Sequence, residues 1–258
     1  MSVTIASNKQ GILAECDSRA LEVSHLPSFF HVHLNEPCNQ KCIMCVPNGE
    51  HGSSVLPFET FVALFEQIKP FAEHITLIGG EPLMYKWINE VLELLAAYPI
   101  AVTINTNATL LDDRISPRLL ALHELNLKCS IDAMTSTTYL RIRGRNQFDR
   151  VTGHLRRFAD LAQGKPQIRM IPVYVVMREN LHEVVPFIEF AKTIRPYRIE
   201  FHPVRHITDW VVDNGTGWTF NGREQTCEAF MEIYNDVMEE AASVCEREGI
   251  DCEVHLLG

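Results

Sequence analysis

Three cysteines lie close together in the segment EPCNQKCIMC. Cys38, Cys42 and Cys45 follow the spacing C-x3-C-x2-C, and the other cysteines of the chain are scattered. Three neighbouring thiols cannot all pair with one another, so this segment is a candidate for metal binding. Thiolates suit both zinc and iron–sulfur clusters, but structural zinc usually takes four protein ligands in two pairs, and no second pair follows. A [4Fe–4S] cluster with one open iron therefore fits best. The alternatives are a zinc site completed by His33 or His51 and cysteines that only pack.

Polar and glycine-rich motifs follow three further apolar runs. They are Gly79, Gly80 and Glu81 in LIGGEPLM, Asn105 and Asn107 in INTNAT, and Ser130 and Asp132 in CSIDA, with Arg143 in the RIRG that follows. Glycines allow close backbone approach, alternate residues of a strand share one face, and a guanidinium suits a carboxylate. Each motif alone also has an ordinary explanation as a turn, an Asx turn, a helix cap or a solvated cation. Arg141 is a competing candidate for the cation.

The segments that must position these motifs alternate between strand-like and helix-like patterns. Helical spacing of apolar residues follows Pro57 and Ser116-Pro117, and a long last helix includes Cys227 and Cys245. Apolar runs predict strands at 28–34, 74–80, 100–107, 127–133, 168–177 and 197–204, with a short last strand within 249–257.

Six βα units in alternation imply parallel pairing and right-handed crossovers. A full barrel needs two more units, so we predict an α/β fold with a partial (β/α)6 barrel, a parallel sheet covered by helices. The motifs fall at the carboxyl ends of the strands, where active sites of parallel sheets lie. We expect one barrel domain over 28–258, closed by 223–258, after an N-terminal extension over 1–27.

The cysteine triplet and the strand-end motifs together resemble the radical S-adenosylmethionine (radical SAM) superfamily. The likeness runs from about residue 28 to about residue 205. It implies that Cys38, Cys42 and Cys45 bind three irons of one [4Fe–4S] cluster, while S-adenosylmethionine (SAM) chelates the fourth. It also implies reductive cleavage of SAM to a 5′-deoxyadenosyl radical, which abstracts hydrogen from a substrate.

The same resemblance implies which residues contact SAM. Two departures from the family pattern bear on them: Met44 stands where an aromatic residue is usual, and Ala108 and Ala133 replace glycines. Asn180 is either a ligand or a helix cap. The implied contacts are Met44 and His202 beside the adenine, Gly79, Gly80 and Glu81 at the ammonium, Ser130 and Asp132 near the ribose or carboxylate, Arg143 at the carboxylate, and Asn107, to which no particular group of SAM is assigned.

The composition and net charge of the chain indicate which classes of binding partner are unsuitable. The chain of 258 residues is 46% hydrophobic and carries a net charge of -10, which argues against nucleic acid or an anionic membrane as a partner. Neither a signal peptide nor an apolar run near the roughly 18 residues of a membrane span is visible. We therefore expect a soluble, cytoplasmic protein.

The resemblance implies a one-electron reductant of the flavodoxin or ferredoxin type and a small-molecule or peptide substrate. The middle of the chain is most similar to members with a SPASM or twitch extension for auxiliary clusters, but Cys227, Cys245 and Cys252 lack the close pairs such clusters need. We therefore expect one cluster. Trp210, Trp218 and Phe220 lie in the 205–222 loop, as a substrate platform or as a packing cluster. A non-catalytic iron–sulfur or zinc protein on the same fold is the alternative function.

Overall fold

The computed structural model describes residues 5–45, 51–207, 209–213 and 215–258. One parallel sheet carries most of the fold. Its strands are β1 (Phe29–Asn35), β2 (His74–Gly79), β3 (Ala101–Thr106), β4 (Glu124–Ser130), β5 (Ile168–Val176), β6 (Ile199–Pro203) and the short β9 (Cys252–Glu253), hydrogen-bonded in chain order. Two further strands, β7 (Val211–Asp213) and β8 (Thr219–Asn221), form an antiparallel hairpin outside this sheet.

A helix precedes β1, and the other helices lie between successive strands of the chain. The helices are α1 (Ile5–Asp17), α2 (Phe58–Ile68), α3 (Ile88–Ala96), α4 (Ser116–Leu119), α5 (Ser136–Arg143), α6 (Phe148–Leu161), α7 (Val184–Thr193), α8 (Gly222–Gln225) and α9 (Met231–Glu248), with 3-10 turns at Pro82–Met84, Arg178–Glu183 and Cys227–Phe230. None of the helices that the structure describes has both the length and the apolar character that crossing a membrane requires.

Strand β4 shows how the pattern of side chains builds two unlike faces. Leu125, Leu127 and Cys129 are buried among core residues, whereas the alternate residues Asn126 and Lys128 remain partly exposed. Because side chains of a strand alternate, the helices cover the apolar face and the polar face is left to line the inside of the sheet. All neighbouring strands of this sheet pair in parallel, so their carboxyl ends lie at the same edge of the sheet.

The predicted partial barrel is confirmed, with four differences in its elements. Strand β4 spans 124–130 instead of 127–133, because Asp132 adopts a left-handed backbone with φ of 60° that ends the extended run. The last strand contains only Cys252 and Glu253, and the helix at Ser116 has just four residues. Cys227 lies in a 3-10 turn before the last helix and not within it.

The predicted N-terminal extension contains helix α1. Asn8 of this helix donates from Nδ2 to the carbonyl of Leu26 at 2.7 Å and accepts from the Leu26 amide at 3.0 Å. Lys9 forms an ion pair with Glu73, just before β2. These contacts attach α1 to the start of the barrel segment, while the division into an extension and a barrel domain stays a prediction.

Candidate functional site

The cysteine loop, residues 38–45, follows β1 and rests on the end of α5. The backbone amides of Lys41 and Ile43 each donate at 3.0 Å to carbonyls at the carboxyl end of α5, those of Arg143 and Ile142. Cys42 is buried, Cys38 is half-buried and Cys45 is exposed. The position of the three thiols therefore depends on where α5 lies.

The glycines of the GGE motif let the end of β2 pack against the start of the cysteine loop. A Cβ on Gly79 would lie 2.4 Å from the Asn35 carbonyl oxygen, and one on Gly80 would lie 2.0 Å from that of Glu36. The Gly80 amide donates to Asn35 O at 2.7 Å and the Glu81 amide to Pro37 O at 3.0 Å. The close approach observed here is thus between two segments of the chain itself, and the predicted contact with SAM stays a prediction.

The Glu81 carboxylate is buried and satisfied by three donors of the chain. Oε1 accepts from the Leu83 amide at 3.1 Å and the Thr106 hydroxyl at 2.7 Å, and Oε2 accepts from the Asn107 amide at 2.7 Å. Burial raises the pKa of Glu81, and these hydrogen bonds oppose that rise. Glu81 therefore joins the ends of β2 and β3, and its predicted contact with the SAM ammonium is not tested by this geometry.

Asn107 lies against the cysteine loop. Its Nδ2 donates to Asn39 Oδ1 at 2.8 Å and lies 3.8 Å from the Cys38 sulfur, while its Oδ1 accepts from the Thr109 hydroxyl at 2.6 Å. Asn105, two residues earlier, lines a separate cavity on the inside of the sheet. The two asparagines that looked equivalent in sequence therefore have different surroundings, and Asn107 is the one beside the thiols.

Asp132 and Arg143 form a buried pair at the carboxyl end of β4. Arg143 Nη2 lies 2.5 Å from Asp132 Oδ2, and Nη1 lies 3.5 Å from the Cys42 sulfur. The contact between Nη2 and Oδ2 lacks hydrogen-bond alignment, so Nε and Nη2 of Arg143 and Oδ2 of Asp132 are buried without a hydrogen-bond partner. Burial disfavours the charged guanidinium, but Asp132 and Cys42 raise the pKa of Arg143 overall. Unfilled donors on a buried cation are a suitable partner for a bound carboxylate.

A cavity of about 360 Å³ opens between these groups. It brings together Cys42, Cys45, Met44, Ser130, Asp132 and Arg143, with Val175, Pro203, Val204, Arg205 and Ile207 as further lining residues. Ser130 ends β4 and Asp132 follows it, Arg143 ends α5, and Pro203 ends β6 with Val204 following it, so the cavity lies at the carboxyl ends of the strands. Six of the residues predicted from the sequence therefore share one cavity.

His202 does not line this cavity, and neither do the predicted residues Cys38, Gly79, Gly80, Glu81 and Asn107. His202 Nε2 is 3.3 Å from Glu200 Oε2, and its ring centroid is 6.2 Å from that of His255. Its neighbours Pro203 and Val204 line the cavity instead. An adenine contact for His202 stays a prediction, with Val204 better placed among the residues of this strand end.

The three thiols fit a cluster better than a single ion. Burial raises the pKa of Cys38 and Cys45, and it raises the pKa of Cys42 to about 11. Within the described part of the chain, no group of three or more histidine, cysteine or acidic side chains is arranged to hold one metal ion. A zinc ion needs converging ligands, whereas a [4Fe–4S] cluster needs sulfur atoms spread around separate irons. The three thiols are soft donors that suit the irons of the cluster, and the adjoining cavity with its buried Arg143 suits SAM.

Three further residues hold the segments of the site together, and of these only Asn180 carried a sequence signal. Asn35 donates from Nδ2 to the carbonyls of Pro37 and Glu81, and buried Gln40 donates to the Tyr139 hydroxyl at 3.3 Å. Asn180 donates to the Asp132 carbonyl at 2.9 Å and accepts from the Met177 amide at 2.8 Å. Asn180 thus fixes backbone on both sides, and the motif that follows the fifth strand was its only signal.

The aromatic residues of the 205–222 loop pack against the cysteine loop. Phe220 is fully buried in a cluster that includes Ile43, and Met44, Trp210 and Trp218 pack on the same cluster. The packing alternative therefore describes this loop better than a free substrate platform does.

Comparison with known proteins identifies the family. The sequence model of the Radical SAM superfamily matches residues 34–191. The chain belongs to the radical SAM superfamily. A probable GTP 3′,8-cyclase of Saccharolobus islandicus (strain M.14.25 / Kamchatka #1) is 30% identical over 183 residues, which cover 67% of this chain and 56% of the relative. The GTP 3′,8-cyclase of Vibrio cholerae is 27% identical over 184 residues, 67% of this chain and 53% of that protein.

Solved structures show the same fold. Streptococcus suis SuiB bound to the precursor peptide SuiA superposes with a TM-score of 0.71 at 15% identity, over 95% of this chain and 52% of SuiB. SuiB bound to S-adenosylmethionine gives the same TM-score of 0.71. This radical SAM chain spans about half the length of these relatives. The predicted family and the α/β fold are confirmed, and enzymes of this family use a [4Fe–4S] cluster and SAM and need an external reductant.

Proposed function

We propose that this chain binds SAM in the cavity beside the cysteine loop and directs radical chemistry to a substrate inside the partial barrel. The observation that carries this proposal is the buried Arg143, whose unfilled Nε and Nη2 donors lie in the same cavity as Cys42 and Cys45. Cys38, Cys42 and Cys45 would hold the cluster. When bound, the cluster supplies the electron that cleaves SAM.

The lining of the cavity supports a division of roles among its residues. Arg143 binds the SAM carboxylate, because a guanidinium whose Nε and Nη2 make no aligned hydrogen bond within the chain matches that group. Ser130 offers a hydroxyl to the ribose, and the apolar side chains of Met44 and Val204 offer a surface to the adenine. Phe220 and its cluster exclude water from the side next to Met44.

The substrate binds on the inner face of the sheet in this proposal. A second cavity of about 430 Å³ lies there, lined by Thr76, Asn105, Asn126 and Lys128, among others. Lys128 precedes Ser130 by two residues on β4, so both side chains share one face of the strand. The inner cavity therefore lies on the same face of β4 as Ser130, which lines the SAM cavity.

The charges around the inner cavity favour a substrate of low net charge. Lys128 lies 2.7 Å from Glu200, Arg198 lies 2.6 Å from Glu200, and Arg169 pairs with Glu124. Among the described residues that line this cavity, each lysine and arginine thus has a carboxylate partner. A triphosphate such as GTP, the nucleotide in the name of the relatives, would compete with these carboxylates. We favour a peptide or an uncharged polar metabolite.

Three finer features belong to this proposal. The reductant is a flavodoxin or ferredoxin, because the cluster must receive single electrons. The protein works in the cytoplasm, where cysteines stay reduced. It uses no nucleic acid or membrane as a partner, in keeping with its net charge of -10.

Anaerobic reconstitution tests the proposal. The chain is loaded with iron and sulfide and incubated with SAM and dithionite, and iron and 5′-deoxyadenosine are measured. About four irons per chain and 5′-deoxyadenosine are expected. One zinc ion without cleavage would favour the non-catalytic alternative. Deuterated peptide pools and deuterated GTP are then compared, and deuterium in 5′-deoxyadenosine from GTP alone would contradict the substrate class.

A further inference from the structure

Glu183 is a buried carboxylate that the SAM cavity does not contain. It ends the Arg178–Glu183 turn after β5 and is 3% exposed. Its Oε2 accepts from the Met134 amide at 2.6 Å, and its Oε1 accepts from the hydroxyls of Thr135 at 2.9 Å and Thr138 at 2.8 Å. Thr138 lies in the first turn of α5 and Met134 and Thr135 lie just before it, 45 to 49 residues earlier in the chain than Glu183.

Helix α5 connects this carboxylate to the cysteine loop. Thr135 caps the helix by accepting from the Thr138 amide, and the negative charge of Glu183 lies at the positive end of the helix dipole. The other end of α5 carries Arg143 and the two carbonyls that accept from Lys41 and Ile43. Helix α5 has eight residues and is about 12 Å long. Because so short a helix moves as one rigid unit, a shift of its first turn also displaces its last turn.

The Arg178–Glu183 turn contacts the segment 132–143, which carries Asp132 and Arg143 of the cavity, at two further points. Asn180 Nδ2 donates to the Asp132 carbonyl at 2.9 Å, and Glu179 forms an ion pair with Arg141 at 2.7 Å. Asp132 has a left-handed φ of 60°, a conformation that surrounding contacts must maintain. The turn therefore contacts this segment at three places: at Asp132 before α5, at Thr135 where α5 begins, and at Arg141 within the helix.

We propose that Glu183 is a positioning residue for the cofactor site. By fixing the beginning of α5, Glu183 sets the position of Arg143 and of the carbonyls on which the cysteine loop rests. This inference depends on the proposed function, because it assigns Arg143 to the SAM carboxylate. Glu183 itself touches neither the thiols nor the cavity, and it acts through the helix.

The first experiment measures hydrogen exchange of the cluster-free and the cluster-loaded protein, comparing Glu183→Ala with Glu183→Gln. Glu183→Ala should speed exchange in a peptide over 38–45, where Lys41 and Ile43 donate to α5, and leave a peptide over 101–106 unchanged. Glu183→Gln should restore slow exchange, since its amide oxygen still accepts from Met134 and its NH₂ donates to the threonine hydroxyls. Equal acceleration in both peptides would mean that Glu183 only stabilises the fold.

A matched pair of threonine variants keeps the test valid if Glu183→Ala does not fold. Thr138→Val removes one donor to Glu183, whereas Thr152→Val removes a hydroxyl of similar burial that donates to Phe148 within α6. In the loaded protein, Thr138→Val should raise the Kd for SAM by about threefold to tenfold, the range expected from one lost hydrogen bond. Thr152→Val should leave this Kd unchanged. Equal Kd values for the two variants would overturn the inference.

An electron paramagnetic resonance spectrum of the reduced cluster separates this inference from the proposed function. If adding SAM leaves the wild-type spectrum unchanged, the proposed function fails. If the wild-type spectrum responds and Thr138→Val responds identically at every SAM concentration, only the role of Glu183 fails. A response in Thr138→Val that requires more SAM supports both.

Discussion

Replacing Gly80 by alanine should displace the cysteine loop. The added Cβ would lie 2.0 Å from the carbonyl oxygen of Glu36 and 2.4 Å from that of Pro37. Both contacts are with backbone, which cannot rotate away as a flexible side chain can. Since Cβ contacts essentially never fall below 3.0 Å, the Glu36 carbonyl must retreat by about 1 Å.

The expected loss of stability follows from this displacement. Overpacking of a tight contact costs about 1–3 kcal/mol. The retreat also weakens two hydrogen bonds, from Gly80 to Asn35 at 2.7 Å and from Glu81 to Pro37 at 3.0 Å, and each contributes about 1 kcal/mol. We therefore expect Gly80→Ala to lower the free energy of unfolding by about 3–5 kcal/mol.

Gly153→Ala is the matched control. A Cβ at Gly153 meets no atom within 4 Å, and the residue lies inside α6. Alanine is favoured over glycine in a helix, so this variant should gain about 0.5–1 kcal/mol. Its opposite sign separates steric conflict from any general effect of adding a methyl group.

Urea unfolding of the cluster-free chain and iron content after reconstitution measure the effect. Gly80→Ala should lose stability and bind much less iron than wild type, because Cys38 immediately follows the displaced Pro37. Gly153→Ala should bind iron as wild type does. If Gly80→Ala matched wild type in both stability and iron, the close approach of β2 to the cysteine loop would not support the cluster.

Four other predictions use the same preparations. Cys42→Ala should lose most cluster iron and SAM cleavage while exposed Cys16→Ala keeps both; equal loss in the two variants would refute the ligand assignment. Arg143→Ala should weaken SAM binding by about 2–3 kcal/mol, measured by titration, and unchanged affinity would remove its role. Ala108→Gly should stabilise the chain by about 1 kcal/mol in urea, since Ala108 has a left-handed φ of 58°. Burial raises the pKa of Glu200, but hydrogen bonds from its neighbours outweigh this effect and lower the pKa to about 2. Its stabilising effect should therefore be present above about pH 4.5 and disappear as the pH falls towards 2, and the melting temperature of Glu200→Gln should vary less over that range.

The fold class and the cysteine triplet were readable in the sequence because their signals are local. Buried runs with β-branched residues alternate with helical spacing, and this alternation alone implies a parallel sheet with helices on its apolar face. The spacing of Cys38, Cys42 and Cys45 lies within one loop, so no knowledge of distant contacts was needed. Asp132 and Arg143 also carried a signal, because their motifs follow predicted strand ends.

The tertiary structure decided which of these groups meet and what holds them. The close approach of Gly80 to Glu36 arises from the parallel register of β1 and β2, and Glu81 finds its donors on β3 and beyond. Glu183 reaches Met134, a residue 49 positions away. Such contacts depend on strand order, register and helix placement, and these result from many weak interactions over the whole chain. A local pattern of residues does not encode the combined effect of these interactions. Only the folded chain therefore shows which distant residues hold the site residues in place.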